Sequence, residues 1–434
     1  MLTEVTLENF KSYSAAQTLE LSSMTVLVGA NAAGKSNAIE AIRFLSWLAQ
    51  GQSLGSIQYQ VNSADRVVRG ISSKLAHLGG KEFSLGCRLE RDSWDRMEVR
   101  LEYRSDGFHI VGEHITDKNQ KVPLYTLDQP STDRGTEASV AYNNFARGGK
   151  KPHIRASDQH AVFTQLVSGA VIEAGHKVSR ATIPGVAKEY EATLARVLFL
   201  DPVPARMREY AFPSETRLNG DGSNISAVLY NLCEASAAST ETKTQVLDFV
   251  RSLPEQEIAD IEFLAEPRGG RLLQLVETFG RDYRRYDASL LSDGTLRVLA
   301  IAAAMLSADR GSLVVIEEID NGVHPSRARD LLERIQRIAA ARGLRVLLST
   351  HNPALLDALP LEAIPRVVFC YRDPEDGDSR LVTLEELDSY PELVARGPLG
   401  RLLSAGDVDR AAKRLGTRPG SPRDLLRARL GIAS

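Results

Sequence analysis

Apolar and polar side chains alternate along much of the first third of the chain, which is the pattern of strands that bury one face. The alternation is visible in "TEVTLENF", "FSLGCRLE" and "RMEVRLEYRSDGFHIVGEHI", and Ser105-Asp106-Gly107 predicts a hairpin turn within the last stretch. The run "MTVLV" predicts a buried strand. Apolar residues then recur at helical spacing, at Ile39, Ile42, Leu45 and Leu48. Residues 1–126 are therefore predicted to be strands around one helix.

The pattern changes after residue 126. Residues 127–157 are polar and rich in turn formers, which predicts a loop or insertion with a local basic cluster of Arg147, Lys150, Lys151, His153 and Arg155. Residues 158–252 have mainly helical periodicity, as in "VAKEYEATLARVLFL". Sustained heptads and internal repeats are absent from the sequence. We therefore expect residues 127–285 to be a polar loop and a mainly helical insertion without a long coiled coil.

The last third alternates helical and strand patterns. "LRVLAIAAAML" and "PSRARDLLERIQRIAAARG" predict helices, whereas "SLVVIEEID" and "LRVLLSTH" predict buried strands. This alternation is typical of an α/β fold with a parallel sheet, and Asp376-Gly377 predicts a closing hairpin. Residues 286–390 should form this lobe. Residues 391–434 form a tail that is either a solvated basic helix face or a contact for phosphate or a partner, and its basic residues include Arg410, Lys413, Arg414, Arg418, Arg423, Arg427 and Arg429.

The composition narrows the class of protein. The 434 residues, 43% apolar and 25% charged, suffice for more than one hydrophobic core. A formal net charge of −3 does not attract nucleic acid overall, so any basic surface must be local. Cys87, Cys233 and Cys370 lie far apart without a C-x-x-C pair, which favours buried free thiols. Without a signal pattern or a long apolar run, the chain is expected to be cytoplasmic and not bound to a membrane.

The stretch "LVGANAAGKSN", residues 27–37, matches the G-x-x-x-x-G-K-[ST] pattern between a predicted strand and a predicted helix. Gly29 and Gly34 permit backbone angles that turn successive N–H groups toward phosphate oxygens. Lys35 supplies a positive charge for the β- and γ-phosphates, and the Ser36 hydroxyl can coordinate Mg²⁺. The helix that follows directs its positive end at the same place. The sequence therefore predicts a site for ATP and Mg²⁺.

Two glutamates follow a buried strand in "LVVIEEID". Ligands of α/β proteins bind beyond the carboxyl ends of parallel strands, so Glu317 and Glu318 are expected at the nucleotide. Glu317 would approach Mg²⁺, and Glu318 would orient the hydrolytic water or accept its proton. Taken alone, two adjacent glutamates could also be solvated charge at a strand end.

Two further segments can contact phosphate. In "LSTHNP", His351 follows another apolar strand on the same side and is a candidate sensor of the γ-phosphate, although a lone histidine is usually structural. In "SLLSDGTLR", Ser292 and Gly294 precede a buried helix and form a second candidate anion site. The alternative for this segment is a simple helix N-cap.

These motifs, in the order "ENFKSY", "LVGANAAGKSN", "LLSDGTLR", "VVIEEIDNGVHP" and "LLSTHNP", resemble the ABC-class ATPase heads of the RecF, SMC and OLD kind. The resemblance is greatest to stand-alone AAA-21 ATPases, extends to about residue 370, and includes "FLDPVPARMREY" and "LNGDGSNISAVLYNL". It implies a P-loop NTPase fold of the ABC-ATPase head type, with a mixed sheet core, an antiparallel β subdomain and a helical insertion.

The resemblance also implies roles for individual residues. ATP is sandwiched between two heads in this family, so Ser292 and Gly294 would contact the γ-phosphate bound to the other subunit of a homodimer or higher homo-oligomer. Asp320 would lie in the D-loop at that interface and His351 in the switch loop. Asn31 and Asn37 would belong to the nucleotide-binding residues of the phosphate loop.

The sequence departs from the family pattern at several positions. Asp293 replaces the first glycine of the usual L-S-G-G-Q signature and Thr295 replaces its glutamine, as is usual among AAA-21 ATPases. Glu317 stands where many relatives have aspartate. No glutamine is convincingly placed for the metal-contacting Q-loop, since Gln58 and Gln60 lie only near the expected position in the sequence. After His351 too little chain remains for the nuclease domain of OLD proteins.

The resemblance therefore implies an ATP-driven dimerising switch that senses DNA or a foreign protein and controls a separate effector such as a nuclease, with bacterial antiphage defence as its setting. The alternative is a RecF-like DNA-repair clamp on duplex DNA. A transporter ATPase subunit is disfavoured, because the N-terminal sheet and the long insertion are not transporter-like.

Overall fold

The computed structural model describes residues 1–60, 67–132, 135–236, 239–251, 257–321 and 325–416. The strands in these ranges are β1 (Leu2–Glu8), β2 (Gln17–Glu20), β3 (Met24–Val28), β4 (Glu82–Leu89), β5 (Arg96–Arg104), β6 (Gly107–Asp117), β7 (Gln120–Gln129), β8 (Glu137–Tyr142), β9 (His153–Ser157), β10 (Leu198–Leu200), β11 (Ile258–Ala265), β12 (Arg271–Phe279), β13 (Asp282–Asp287), β14 (Leu313–Ile316), β15 (Arg345–Thr350), β16 (Val367–Arg372) and β17 (Ser379–Thr383).

The α-helices in the same ranges are α1 (Lys35–Ala49), α2 (Ile57–Gln60), α3 (Val162–Gln165), α4 (Lys177–Ala195), α5 (Ile225–Tyr230), α6 (Ser239–Val250), α7 (Asp293–Ser307), α8 (Ala328–Arg342), α9 (Pro353–Asp357), α10 (Tyr390–Arg396), α11 (Leu399–Ser404) and α12 (Asp407–Gly416). None of the described helices is long and apolar enough to cross a membrane. The tail residues Arg418, Arg423, Arg427 and Arg429 lie outside the described residues.

A six-stranded sheet, as far as the chain is described, forms the centre of the fold in the order β10-β14-β15-β3-β16-β17. Every pair up to β16 is parallel, and β17 closes the sheet antiparallel to β16. The strands β3 and β14 are buried at every position, which explains their nearly continuous apolar sequences. The predicted α/β class with a mixed sheet is confirmed. The parallel strands bring residues 29, 201, 317 and 351 to one edge.

Two hydrophobic clusters pack on opposite faces of this sheet. Leu27 of β3 lies in the cluster that contains α1, α4 and the antiparallel sheet, whereas Val26 and Val28 lie in the cluster around α7 and α8. Successive side chains of a strand point to opposite faces, so one strand contributes to both cores. Because β3 leads directly into residues 29–34, packing on both faces fixes the start of the candidate phosphate loop.

A second, antiparallel sheet has the order β2-β1-β4-β5-β6-β7-β8-β9 among the described residues. It contains the predicted hairpin turn between β5 and β6. The predicted polar loop at residues 127–157 was wrong in part, because β8 and β9 pair there as the last two strands. Ala138 and Val140 are buried while Glu137 is exposed, so a short edge hairpin with one polar face resembled a loop in the sequence. Arg147 and Lys150 are exposed in its connection.

The predicted helical insertion also contains strands. Residues 258–287 form the three-stranded antiparallel sheet β11-β12-β13, and β10 joins the central sheet. Helices α4, α5 and α6 agree with the helical periodicity. Strands β10 and β13 were missed because β10 has only three residues and β13 is mostly exposed, so neither has a clear alternating pattern.

A buried carboxyl group connects the antiparallel sheet to α3. Glu113 of β6 accepts hydrogen bonds from the Tyr125 hydroxyl at 2.6 Å and from the amides of Val162 and Phe163 at 2.7 and 2.8 Å. Burial raises the pKa of Glu113 to about 7, although these three donors act in the opposite direction. The side chain therefore caps the first turn of α3 from inside the core.

Folding should be linked to protonation of Glu113. An acid whose pKa rises from 4.5 in the unfolded chain to about 7 binds its proton more tightly when folded. The resulting stabilisation is complete below pH 4.5 and is lost as the pH rises through about 7. Between these limits the free energy of unfolding should fall by about 3 kcal/mol relative to Glu113→Gln, which cannot titrate. Urea unfolding of both proteins from pH 4.5 to 8 measures the difference, and parallel pH profiles would contradict it.

Candidate nucleotide-binding site

The connection between β3 and α1 has the backbone of a tight cradle. Residues with positive φ occur at Gly29 (156°), Ala32 (61°) and Gly34 (120°). A Cβ at Gly29 would lie 2.1 Å from the carbonyl oxygen of Cys370, and one at Gly34 would lie 2.5 Å from Ser379 Oγ. The two glycines of the motif are therefore required by close approach as well as by backbone angle.

Side chains outside the loop hold its carbonyl groups. The donors come from β16, β17 and the segment after β1, and each points at one of three consecutive carbonyl oxygens. They are Arg372 Nε to Ala32 at 3.0 Å, Cys370 Sγ and Ser379 Oγ to Ala33 at 3.0 and 2.6 Å, and the Tyr13 hydroxyl to Gly34 at 3.2 Å. Carbonyl oxygens that are bonded from outside leave the amides to face the interior of the loop.

The donors inside the loop fit a chain of phosphates. Among the described residues, no acceptor is bonded to the amides of Gly34, Lys35 or Ser36, which lie at the positive end of α1. Lys35 Nζ donates to the carbonyls of Gly29 and Ala30 at 2.6 and 3.0 Å. Burial lowers the pKa of Lys35, and the nearby Cys370, Glu318 and Asp320 oppose this effect.

The two predicted asparagines of the loop occupy different environments. Asn31 is exposed at the tip of the loop. Asn37 Nδ2 donates to Ser12 Oγ at 2.7 Å, so its side chain connects α1 to the segment after β1. The nucleotide contact expected for Asn37 stays a prediction, and the hydrogen bond to Ser12 shows a supporting role.

Acidic groups that follow β14 approach Lys35. Glu318 is exposed and has a φ of 47°, which is unusual for a residue with a Cβ. Its amide donates to Ser349 Oγ at 3.0 Å, and its carboxylate accepts from Asn321 Nδ2 at 2.6 Å. A left-handed backbone held by these partners directs Glu318 away from the sheet and into the crevice beyond the carboxyl ends of the parallel strands.

Asp320 and His351 lie beside each other in the same crevice. Asp320 Oδ1 accepts a hydrogen bond from Thr350 Oγ1 at 2.7 Å, and its Oδ2 lies 3.9 Å from His351 Nδ1. The imidazole is 46% exposed, so it can reach a ligand. The structure thus brings together residues from two separate motifs of the sequence: Glu318 and Asp320 from the first, and His351 from the second.

Glu317 has an environment that the sequence did not predict. Its two carboxylate oxygens bind Arg43 Nη2 at 2.9 Å and Arg69 Nη2 at 3.3 Å. Burial raises the pKa of Glu317, as does Asp201, whereas Arg43 and Arg69 lower it. The described hydrogen bonds and ion pairs do not connect Glu317 to Ser36. The role of Glu317 at Mg²⁺ therefore stays a prediction.

The cleft beside Glu317 contains charged residues that sequence reasoning missed. It has a volume of about 490 Å³, and its lining includes Arg43, Arg69, Asp201, Arg206 and Asp221. The Arg43 guanidinium also stacks at 4.6 Å over the Phe199 ring. An acidic residue directly after the apolar "LFL" of β10 was a detectable signal for Asp201, by the same argument that found Glu317. No local pattern in the sequence indicates that Arg43 and Arg69 form ion pairs with Glu317.

The segment at residues 292–294 begins α7. Ser292 Oγ accepts from the amide of Thr295 at 3.1 Å, so the N-cap alternative is confirmed. Capping does not exclude phosphate binding by the remaining amides of the first turn. Within the described part of the chain, no hydrogen bond or ion pair connects Ser292 or Gly294 to the phosphate loop.

Two family models match parts of this chain. Residues 206–357 match the AAA-21 family model, described as "AAA domain, putative AbiEii toxin, Type IV TA system", and residues 1–92 match a model described as "AAA ATPase domain". No curated protein matches the chain. Among solved structures, the SMC head bound to the C-winged helix domain of ScpA is 13% identical over 88% of this chain and 97% of that chain, with a TM-score of 0.48. The SMC head domain from Thermotoga maritima is 14% identical over 88% and 98%, with a TM-score of 0.39.

Gly34→Ala should abolish the cradle while most of the fold survives. The new Cβ would clash with Ser379 Oγ and would require an unfavourable φ of 120°, so the loop must shift. We expect at least about a tenfold loss of affinity for a fluorescent ATP analogue, equivalent to about 1.4 kcal/mol. Gly185→Ala is the matched control, because its Cβ meets no atom within 4 Å on the exposed side of α4. Equal affinity in both variants would refute the role of the loop.

Proposed function

Because the chain is an ABC-type ATPase of the RecF/SMC/OLD-like group, we propose that it binds ATP and Mg²⁺ at the phosphate loop and hydrolyses ATP between two copies of the chain. The observation that carries the proposal is the convergence of unbonded loop amides, Lys35 and the acidic residues Glu318 and Asp320 at one sheet edge. Positive and acidic groups that face each other across a crevice are what phosphoryl transfer to water requires.

Each residue has a distinct task in this proposal. Lys35 leaves the loop carbonyls and binds the β- and γ-phosphates together with the loop amides. Glu318, held outward by Ser349 and Asn321, orients the water and accepts its proton. His351 contacts the γ-phosphate and is kept in place by Asp320. Bound Mg²⁺ would neutralise phosphate charge, with the Ser36 hydroxyl as a ligand and Glu317 near it.

The second copy is proposed to complete the site with Ser292 and Gly294. Two features support this assignment. The segment lies at the start of α7, where amides are available to an anion, and the described contacts do not place it on its own phosphate loop. A site divided between chains makes ATP binding and association of the two chains a single equilibrium.

We further propose a cytoplasmic switch that senses DNA or a foreign protein and controls a separate effector such as a nuclease, in bacterial antiphage defence. The toxin–antitoxin system named in the description of the AAA-21 family supports this setting. The RecF-like clamp on duplex DNA is the second candidate, favoured by the exposed Arg147 and Lys150 between β8 and β9. Binding to DNA that weakens steeply with salt would favour the clamp.

Glu318→Gln should separate ATP binding from hydrolysis. The amide cannot accept the proton of water, so we expect turnover to fall at least about 100-fold while ATP stays bound. The ATP-bound dimer should then accumulate in size-exclusion chromatography with ATP and Mg²⁺. Glu333→Gln on the exposed side of α8 is the matched control and should behave like the wild type. Absence of any ATP-dependent increase in size would contradict the proposed switch.

Two inactive variants should restore ATP hydrolysis when they are mixed, if the site is shared between two chains. Lys35→Ala keeps its residues 292–294, and Ser292→Arg keeps its phosphate loop, so their mixed dimer has one intact site. Equal mixing should give about a quarter of the wild-type hydrolysis rate, because half of the dimers are mixed and each has one working site.

The matched control mixes Lys35→Ala with Glu318→Gln. Both residues belong to the same half of the site, since Glu318 acts on Lys35 of its own chain. Neither site of that mixed dimer is intact, so no activity should return. Mixed dimers of Lys35→Ala and Ser292→Arg that form but bind no ATP would refute the shared site.

A further inference from the structure

Arg208 bridges the two sides of the segment that begins α7. Its Nη2 donates to the carbonyl of Leu291 at 2.9 Å and to Asp293 Oδ1 at 2.7 Å. These acceptors are the residues immediately before and after Ser292. One guanidinium group therefore binds the backbone on one side of Ser292 and a carboxylate on the other. That carboxylate, Asp293, is the only acidic side chain among residues 289–297.

The position of Arg208 is fixed by its neighbour in the chain. Met207 is fully buried in the core, and a Cβ on Gly222 would lie 3.1 Å from its side chain. The 3-10 turn Pro204–Arg206 precedes it. The backbone from which Arg208 projects is therefore already fixed, so its pairing with Asp293 costs only the conformational freedom of the two side chains.

Asp293 creates an electrostatic problem at this place. A carboxylate in the first turn is attracted to the positive end of α7, which is the same end that a phosphate would use. The side chain of Asp293 is 70% exposed, so its charge would face an approaching anion. Two negative groups near one helix end repel each other, and a cation bound to the carboxylate removes that repulsion.

We propose that Arg208 is a positioning residue that neutralises Asp293 and orients residues 292–294, so that they can accept the γ-phosphate of ATP bound to a second copy of the chain. This inference rests on the proposed function. It assigns Arg208 no contact with the ATP of its own subunit. It also explains how an acidic residue is compatible with phosphate binding at this segment.

The test compares Arg208→Met, Asp293→Asn and the double variant. Arg208→Met removes the charge at similar length, so ATP-dependent dimerisation in a Glu318→Gln background and hydrolysis at saturating ATP should each fall about tenfold. Binding of a fluorescent ATP analogue to the monomer should not change. In the double variant no negative charge remains to be neutralised, so both readouts should return to within about threefold of Asp293→Asn.

The matched control is Arg285→Met, which breaks a similarly exposed pair with Glu262 on the three-stranded sheet and should change neither readout. Thermal unfolding establishes that every variant is folded. Wild-type behaviour of Arg208→Met would overturn the inference, and a double variant as defective as Arg208→Met would overturn the neutralisation of Asp293. Failure of the Glu318→Gln protein itself to dimerise with ATP would instead refute the proposed function.

Discussion

The outward hydrogen bonding of the phosphate-loop carbonyls is the interaction on which the rest of the site depends. Tyr13, Cys370, Ser379 and Arg372 bind three consecutive carbonyl groups, and this leaves the amides and Lys35 on the inside. The positive end of α1 then faces Glu318 and Asp320, the acidic residues that follow β14. Without these outer donors, the carbonyl dipoles could turn inward and repel phosphate. The loop is therefore organised by the strands beside it as well as by its own glycines.

The distinction between local and distant contacts explains what the sequence could predict. The phosphate loop was identified because its strand, glycines, lysine and helix are contiguous, and the α/β order followed from long apolar runs. The supporting shell could not be identified, since Tyr13 and Ser379 bind the loop across 21 and 346 residues of sequence. Strands β8, β9 and β13 were missed for a related reason: their polar faces are stabilised by partner strands, which no local pattern shows.

The pair Glu317 and Glu318 shows how one motif can lead to two environments. The side chains of adjacent residues at a strand end point to opposite sides. Glu318 leaves the sheet with a left-handed backbone and stays exposed, whereas Glu317 is buried between Arg43 and Arg69. The sequence placed both glutamates at the correct edge of the sheet. Their partners depend on helix α1 and on the segment near Arg69, so the arginine pairs are visible only in three dimensions.

The short segment from Asp201 to Arg208 spans two parts of the molecule that would serve different nucleotides. Its first residue follows β10 in the cleft of Glu317, and its last holds the start of α7. In a symmetric pair of chains the segment from Asp201 to Arg208 would occur once in each chain, and the two segments would run in opposite directions. Each chain would then transmit a displacement at its own ATP to the surface that covers its partner's ATP. In the proposed dimer, these two segments would link both ATP sites in a closed loop, so the loss of one phosphate would affect both sites.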